Sequence, residues 1–347
     1  MKAVVLNDVN DIKYKEVDRP NPKAGEALVR IKAAGICGSD IPRVYKTGAH
    51  NMPLIIGHEF AGLVEEVADE ADKEWIGKRV GVFPLIPCKK CPQCLAGRYE
   101  MCSHYDYLGS RSNGGFAEYA AVPVWNLIEL PENASYEEGA MLEPMAVAVH
   151  AMNRLDPLAP ESVLVSGAGT IGILLIMFLM EKGIEDIYVS LNKDFQIATL
   201  MRLGIKKENI CDIRKQSLTD FIKEKTDGQG VDVYYECVGS NESIANALKV
   251  VGPSGRICYV GNPHSDMTFD RDTYWQILRK QVMITGTWNS SYPDDWQYVL
   301  RRLNEKKIDP AGLITHRFSL GDMIKGMEIM RDKSEDYIKI MVSAEDA

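Results

Sequence analysis

The run Val163-Leu164-Val165-Ser166-Gly167-Ala168-Gly169-Thr170-Ile171-Gly172 decides the fold of this chain. A short apolar stretch suited to a buried strand ends in glycines spaced Gly-x-Gly-x-x-Gly. An apolar segment of helical length follows, from Thr170 to Lys182. In such a turn the first glycine permits the sharp reversal and the second lets the backbone approach a pyrophosphate. The third lets the helix pack close to the strand, and the phosphate rests on the helix N-terminus. Strand before and helix after turn a weak glycine pattern into a dinucleotide-binding signal. Gly167, Gly169, Thr170, Ile171 and Gly172 are therefore expected on the cofactor.

Outward from this turn the texture alternates. Ile187–Leu191 reads as a strand, Asp194–Leu203 as a helix, Val231–Cys237 and Arg256–Val260 as buried strands, and Met283–Gly286 as a further one. Alternating β and α segments imply a doubly wound parallel sheet. Val238, Gly239, Val260 and Gly261, at the ends of two of these strands, are also expected on the cofactor. The second strand should end in an acid that binds the adenosine ribose hydroxyls. Here Leu191 stands in that place, followed by Asn192 and Lys193. With no carboxylate to repel a 2′-phosphate and a cation close by, the choice between NAD and NADP tilts slightly toward NADP. The plain alternative is NAD bound without the acid, with Lys193 a solvated helix-start residue.

On the N-terminal side the first 130 residues read as short strands broken by Gly and Pro: Val4–Asn7, Ala27–Ala33, Gly62–Val67, Arg79–Phe83 and Phe116–Val122. Ser135-x-x-Glu138 is a capping box that opens a helix through Ala140–Met152. The expected organisation is α/β overall. A mostly β domain over residues 1–152 is interrupted by the parallel-sheet domain at 153–286, and the chain returns to the first domain at 287–347.

Four of the eight cysteines sit in Cys88-x2-Cys91-x2-Cys94-x7-Cys102. Four thiolates saturate a tetrahedral zinc, and the last gap of seven residues is not an iron–sulfur spacing. A second, mixed set stands upstream: Cys37-Gly38-Ser39-Asp40 and Gly57-His58-Glu59. A Cys, a His and a carboxylate can leave one coordination position open for chemistry. Asp40, three residues past Cys37, suits the carboxylate that orients the His58 imidazole. Glu143, in Leu142-Glu143-Pro144, is another candidate ligand or else an ordinary helix-surface acid. Cys211, Cys237 and Cys258 are isolated and read as core thiols.

At 347 residues two domains are expected, with 46% hydrophobic and 26% charged residues. A net charge of −9 argues against nucleic acid or an anionic membrane as partner. The longest apolar run, Ile171–Met180, is too short to span a bilayer, and residues 1–8 lack a signal-peptide pattern. A cytoplasmic location is expected, where clustered cysteines favour metal over disulfides.

Taken together, these pieces resemble the zinc-dependent medium-chain dehydrogenase/reductase family. The matching segments are Cys37–Asp40, Gly57-His58-Glu59-Phe60-Ala61-Gly62, the four-cysteine run, Gly167–Gly172 and Ile314-Thr315-His316-Arg317-Phe318, in the family's order over nearly the whole chain. The resemblance implies a GroES-like, mostly β catalytic domain with a Rossmann coenzyme domain, and two Zn2+ per chain. The structural zinc falls on Cys88, Cys91, Cys94 and Cys102. The catalytic zinc falls on Cys37, His58 and either Glu59 or Glu143, the two carboxylates being able to exchange. It further implies hydride transfer between NAD(P) and a secondary alcohol, with Ser39 hydrogen-bonded to the substrate oxygen. Where family members often place a relay His, this chain has Pro42.

Glu59 and Glu143 resemble the polyol, sorbitol-type branch. Gly48-Ala49-His50, Pro84-Leu85-Ile86-Pro87-Cys88 and Tyr107–Phe116 resemble the dehydrogenases of galactitol 1-phosphate. A phosphate would be gripped by Arg43, Lys46 and Arg111, unless these are plain surface charges. Alternatives on the same fold are an unphosphorylated polyol, L-threonine or simple alcohol as substrate, or, further off, a non-catalytic nucleotide-binding protein. The family also implies a homodimer or homotetramer.

Overall fold

The computed structural model describes residues 1–263 and 265–344. Its contacts divide the chain into two units, residues 1–144 with 291–347, and residues 145–290.

The first unit opens with β1 (Lys2–Asp8), β2 (Asp11–Glu16) and β3 (Glu26–Ile36), followed by β4 (Leu54–Ile55), β5 (Glu59–Val67) and β6 (Arg79–Val82). Then come β7 (Leu85–Ile86), β8 (Asp106–Tyr107), β9 (Tyr119–Pro123) and β10 (Leu127–Glu129). β3 is the long central strand: β5 and β9 both pair with it antiparallel. Its inward side chains Val29, Ile31 and Ile36 join Val4, Phe60 and Phe116 in one buried core. β7 and β8 form a two-stranded pair, Leu85 opposite Tyr107, that closes the neck of the segment carrying the four cysteines.

The capping box forms as expected, Ser135 Oγ accepting from Glu138 N and Glu138 reaching back to Ser135 N. The helix it opens is short, Tyr136–Ala140, and a second helix starts at Leu142 and runs to Leu155. Pro144 accounts for the break. In one continuous helix its ring would collide with the Ala140 carbonyl, whereas in the first turn of a new helix no donor is needed there.

The second unit holds β11 (Val163–Ser166), β12 (Ile187–Leu191), β13 (Ile210–Asp212), β14 (Val231–Glu236), β15 (Val251–Tyr259) and β16 (Met283–Gly286). All pairings are parallel, in the order β13-β12-β11-β14-β15-β16. This is the dinucleotide-binding order, with its switch point between β11 and β14. The helix Thr170–Glu181 is apolar all round, and Gly172 through Leu179 are buried. A helix without a polar face must be covered on all sides.

After residue 290 the chain adds β17 (Ile314–Ser319) and β18 (Lys339–Ser343) to the first unit. β18 pairs antiparallel with β3, Ile340 opposite Ile36. A residue from the far end of the sequence is thereby brought beside the strand that ends just before Cys37. No helix among the described residues is long and apolar enough to cross a membrane.

Candidate functional site

β3 ends at Ile36, and Cys37 turns out of it into a tight loop. Asp40 closes that loop. Its N–H donates to the Cys37 carbonyl at 3.0 Å, and its Oδ2 accepts from Cys37 N at 3.1 Å. Gly57 precedes His58 with φ +98°, where a Cβ would sit 2.8 Å from the Phe116 ring, so only glycine fits. β5 then begins at Glu59, directly opposite Gly35 of β3. A Cβ on Gly35 would run into the Glu59 carboxylate, which the glycine leaves room for.

This local geometry gathers Cys37, His58 and Glu59, whose donor atoms all lie within 4.8 Å of one another. His58 Nδ1 is 3.5 Å from Asp40 Oδ1, the outer limit of a hydrogen bond, and has no closer partner. Burial works to lower the His58 pKa, but the charges of Asp40 and Cys37 outweigh it and hold it well above its ordinary value. Burial likewise works against the Asp40 carboxylate, yet His58 and Arg43 keep its pKa below the usual range. Ser39 Oγ donates to Cys37 Sγ at 3.3 Å. A soft thiolate, an oriented imidazole and a carboxylate are a fitting donor set for zinc.

Glu143 is buried at 8% exposure, so it is no surface acid. It accepts a hydrogen bond from the Tyr107 hydroxyl at 3.3 Å. Burial, reinforced by Glu59 and opposed by His58, raises its pKa to about 7. The Tyr107 ring meets the His58 ring edge-on, centroids 5.8 Å apart. Glu59 has its own partner: Lys339 of β18 donates to it and, at 3.1 Å, to the Ile36 carbonyl. Both members of that ion pair are 2% exposed.

The second cysteine set also fits its metal. The sulfurs of Cys88, Cys91, Cys94 and Cys102 lie within 4.8 Å of one another, and the pairs Cys88–Cys94 and Cys91–Cys102 are 4.0 Å apart. Zinc–sulfur bonds of about 2.3 Å place tetrahedral sulfurs about 3.8 Å apart, whereas a disulfide would need about 2.05 Å. All eight cysteines are free thiols. Backbone N–H groups of Cys94 and Ser103 bring Cys91 down to about 6, while burial pushes Cys94 up to about 12. Cys211 and Cys258 are buried and Cys237 is half-buried.

In the second unit Gly169 caps the helix Thr170–Glu181, and a Cβ there would meet nothing within 4 Å. A Cβ on Gly172 would strike the Gly167 carbonyl instead. Open space before the helix end and close packing behind it are what a bound pyrophosphate requires. Glu236, fully buried at the end of β14, organises the next loop. Its Oε1 accepts from Val238 N, Gly239 N and Ser243 Oγ, and its backbone carbonyl accepts from Val260 N and Gly261 N. Leu191 lies opposite Asp212 of β13, so a carboxylate stands next to the position where one is missing. That carboxylate is engaged by Arg214 at 2.7 Å and Lys215 at 3.1 Å, and Arg214 also pairs with Asp194 at 2.6 Å. Lys193 lies over the Phe195 ring, following Asn192.

The three cations assigned to a substrate phosphate part ways. Arg43 is half-buried and paired with Asp40, Lys46 is exposed, and Arg111 lies 4.4 Å over the Tyr105 ring. The sequence reading gives no role to four residues that shape these sites: Tyr107, Lys339, Glu236 and Arg214. Lys339 did leave a trace, a lone charge in the otherwise uncharged segment Lys339–Ser343.

Known proteins resemble this chain over nearly its whole length. Residues 23–132 match the alcohol dehydrogenase GroES-like domain and residues 170–305 the zinc-binding dehydrogenase family. The chain is 33% identical over 325 residues to galactitol 1-phosphate 5-dehydrogenase of Escherichia coli K12, covering 92% of this chain and 93% of that one. It is also 33% identical over 324 residues to L-idonate 5-dehydrogenase of Vitis vinifera, covering 91% and 87%. The crystal structure of galactitol-1-phosphate dehydrogenase from Escherichia coli superposes with a TM-score of 0.91 at 30% identity, over 99% of this chain and 100% of that one.

Proposed function

This chain belongs to the zinc-dependent medium-chain dehydrogenases, which are NAD(P)-dependent oxidoreductases, and we propose that within the family it acts on a polyol phosphate of the galactitol 1-phosphate kind. The reaction is a reversible two-electron oxidation. The carbon bearing a secondary hydroxyl gives hydride to the nicotinamide, the hydroxyl gives its proton to solvent, and a ketone remains. The observation that carries the reading is the mixed Cys37–His58–Glu59 set with Glu143 buried beside it. The 33% identity to galactitol 1-phosphate 5-dehydrogenase supports the substrate class.

Zinc held by Cys37, His58 and a carboxylate from Glu59 or Glu143 supplies the Lewis acidity that lowers the pKa of the substrate hydroxyl. Asp40 keeps the His58 imidazole in one orientation. Ser39 Oγ would take the proton of the substrate hydroxyl while giving its own hydroxyl proton to water, so that the serine stays neutral. Cys37 and Ser39 are only half-buried and Gly38 between them is exposed, so the proton can pass directly to water. No relay through the fifth residue past Cys37 is available, because Pro42 carries no proton. Gly167, Gly169 and Gly172 shape the bed for the pyrophosphate of NAD or NADP. Leu191 and Lys193 favour NADP. Cys88, Cys91, Cys94 and Cys102 hold the second, structural zinc.

Since Asp40 engages Arg43, the phosphate grip falls to Lys46 and Arg111. The same engagement favours a second reading, an unphosphorylated substrate such as that of the L-idonate relative. Comparing kcat/KM for galactitol 1-phosphate, sorbitol and L-idonate with each cofactor separates the two. Rates on the unphosphorylated compounds equal to or above those on the phosphate reject the phosphate reading.

A further inference from the structure

The mixed metal set has two carboxylates within reach of its chemistry, and each is restrained by a different partner. Glu59 belongs to the cluster whose donor atoms lie within 4.8 Å of one another, and Glu143 does not. Glu143 sits in the first turn of the helix Leu142–Leu155, with its Oε1 accepting from the Tyr107 hydroxyl at 3.3 Å. Tyr107 is itself fixed from three sides. Its backbone lies in β8 in register with Leu85 of β7, its ring meets His58 edge-on, and its other neighbour is the Tyr105 ring at 6.2 Å. One side chain therefore touches both the imidazole of the metal set and the carboxylate outside it.

We infer that Tyr107 is a positioning residue that holds Glu143 off the metal in the resting enzyme, so that Cys37, His58 and Glu59 are the resting protein ligands. The inference rests on the zinc reading proposed above and deepens it by assigning what decides between the two carboxylates. The geometry supports this directly. Glu143 lies outside the cluster of donor atoms that includes Glu59, and the Tyr107 hydroxyl ties its carboxylate to the β7–β8 pair rather than to the β3–β5 edge that carries the cluster. Removing only the hydroxyl frees Glu143 while keeping the ring that packs on His58.

The test is zinc retention in the purified enzyme, followed as the rate of transfer to a colorimetric chelator, with thermal melting to show that each variant is folded. Tyr107→Phe should release zinc from the mixed site about tenfold more slowly than the parent, because Glu143 can then join the shell; outer-shell changes act on that scale. Adding Glu143→Gln to Tyr107→Phe should return the rate to the parent value. Glu143→Gln alone should leave the rate unchanged, since a tethered carboxylate contributes nothing to the resting shell. The inference is overturned if Tyr107→Phe releases zinc at the parent rate or faster. It is equally overturned if Glu143→Gln alone speeds release, because Glu143 is then already a ligand. A Cys37→Ser control separates this from failure of the zinc reading: if it leaves the zinc content per chain unchanged, the mixed set holds no metal at all.

Discussion

The cysteine lobe and the mixed set are built by opposite rules. Every donor of the lobe comes from one short run, Cys88 to Cys102, and neighbouring backbone groups serve the sulfurs: Cys88 N donates to Cys102 Sγ and Cys94 N to Cys91 Sγ. The mixed set draws on the end of β3, the turn before β5, the helix Leu142–Leu155 and, through Lys339, the last strand of the chain. Among the described residues, the only side chains that hydrogen-bond the lobe's sulfurs are those of the other cysteines. In the mixed set each carboxylate and the imidazole has one competitor or orienter: Lys339, Tyr107 and Asp40. A site that only has to hold together can be local, whereas a site that has to leave a position open needs distant groups to restrain its ligands.

The largest effects come from exchanging one sulfur in each region. Cys37→Ser should lower kcat/KM on the order of 10^4-fold while leaving the melting temperature near the parent's. That figure corresponds to several kcal/mol of charge stabilisation at about 1.4 kcal/mol per factor of ten. Zinc per chain should fall from about two to about one. Cys91→Ser should do the reverse, removing one zinc with a large loss of thermal stability, because a closed structural site contributes folding energy outright. The contrast breaks if Cys37→Ser melts as low as Cys91→Ser.

Next in size is the buried pair behind Glu59. Lys339→Met leaves a carboxylate at 2% exposure without its cation, which costs about 3–5 kcal/mol. The melting temperature should drop on the order of 10 °C. The double variant Glu59→Gln with Lys339→Met should recover most of that loss, since the cost lies in the unpaired charge rather than in the missing contact. No recovery would mean that Lys339 acts through packing. Asp40→Asn is smaller again. It should weaken zinc binding at the mixed site about 10–100-fold and leave the lobe's zinc in place, as a titration with chelator reads directly.

What was legible in the sequence follows the same division between local and distant. The glycine loop, the four-cysteine run and the capping box are each written within one short stretch of consecutive residues, and each forms where expected. Cys37, Asp40 and Gly57-His58-Glu59 were legible because a carboxylate three residues past a thiol and a His-Glu pair stand out in the residue order, whereas the left-handed turn at Gly57 shows only in the structure. The Lys339–Glu59 pair spans 280 positions and depends on β18 pairing with β3. Nothing in local periodicity announces that pairing. Arg43 reads from the sequence as a phosphate grip or a surface charge, and its pairing with Asp40, which also faces His58, shows only in the structure. Pro144 ends one helix and admits another, a boundary that the sequence contains but that a reading by apolar spacing passed over.

The smallest effect is also the one that separates the two regions by sign. In chelator-treated protein Glu143 has a folded pKa near 7, above its unfolded value of about 4.3, so the native state binds more protons between those values. The stability linked to it is fully present below about pH 4.3 and is lost as the pH rises toward 7, with a slope of at most about 1.4 kcal/mol per pH unit. Cys91 moves the other way. Its folded pKa of about 6 lies below the ordinary thiol value, so its contribution is present above about pH 8.5 and is lost as the pH falls through 6. Melting curves of the metal-free parent, Glu143→Gln and Cys91→Ala from pH 5 to 9 should therefore show two opposed differences. Parent minus Glu143→Gln declines between pH 5 and 7, and parent minus Cys91→Ala rises between pH 6 and 8.5. If both differences run in the same direction, the restrained carboxylate and the backbone-served thiol are not the contrasting environments described for them.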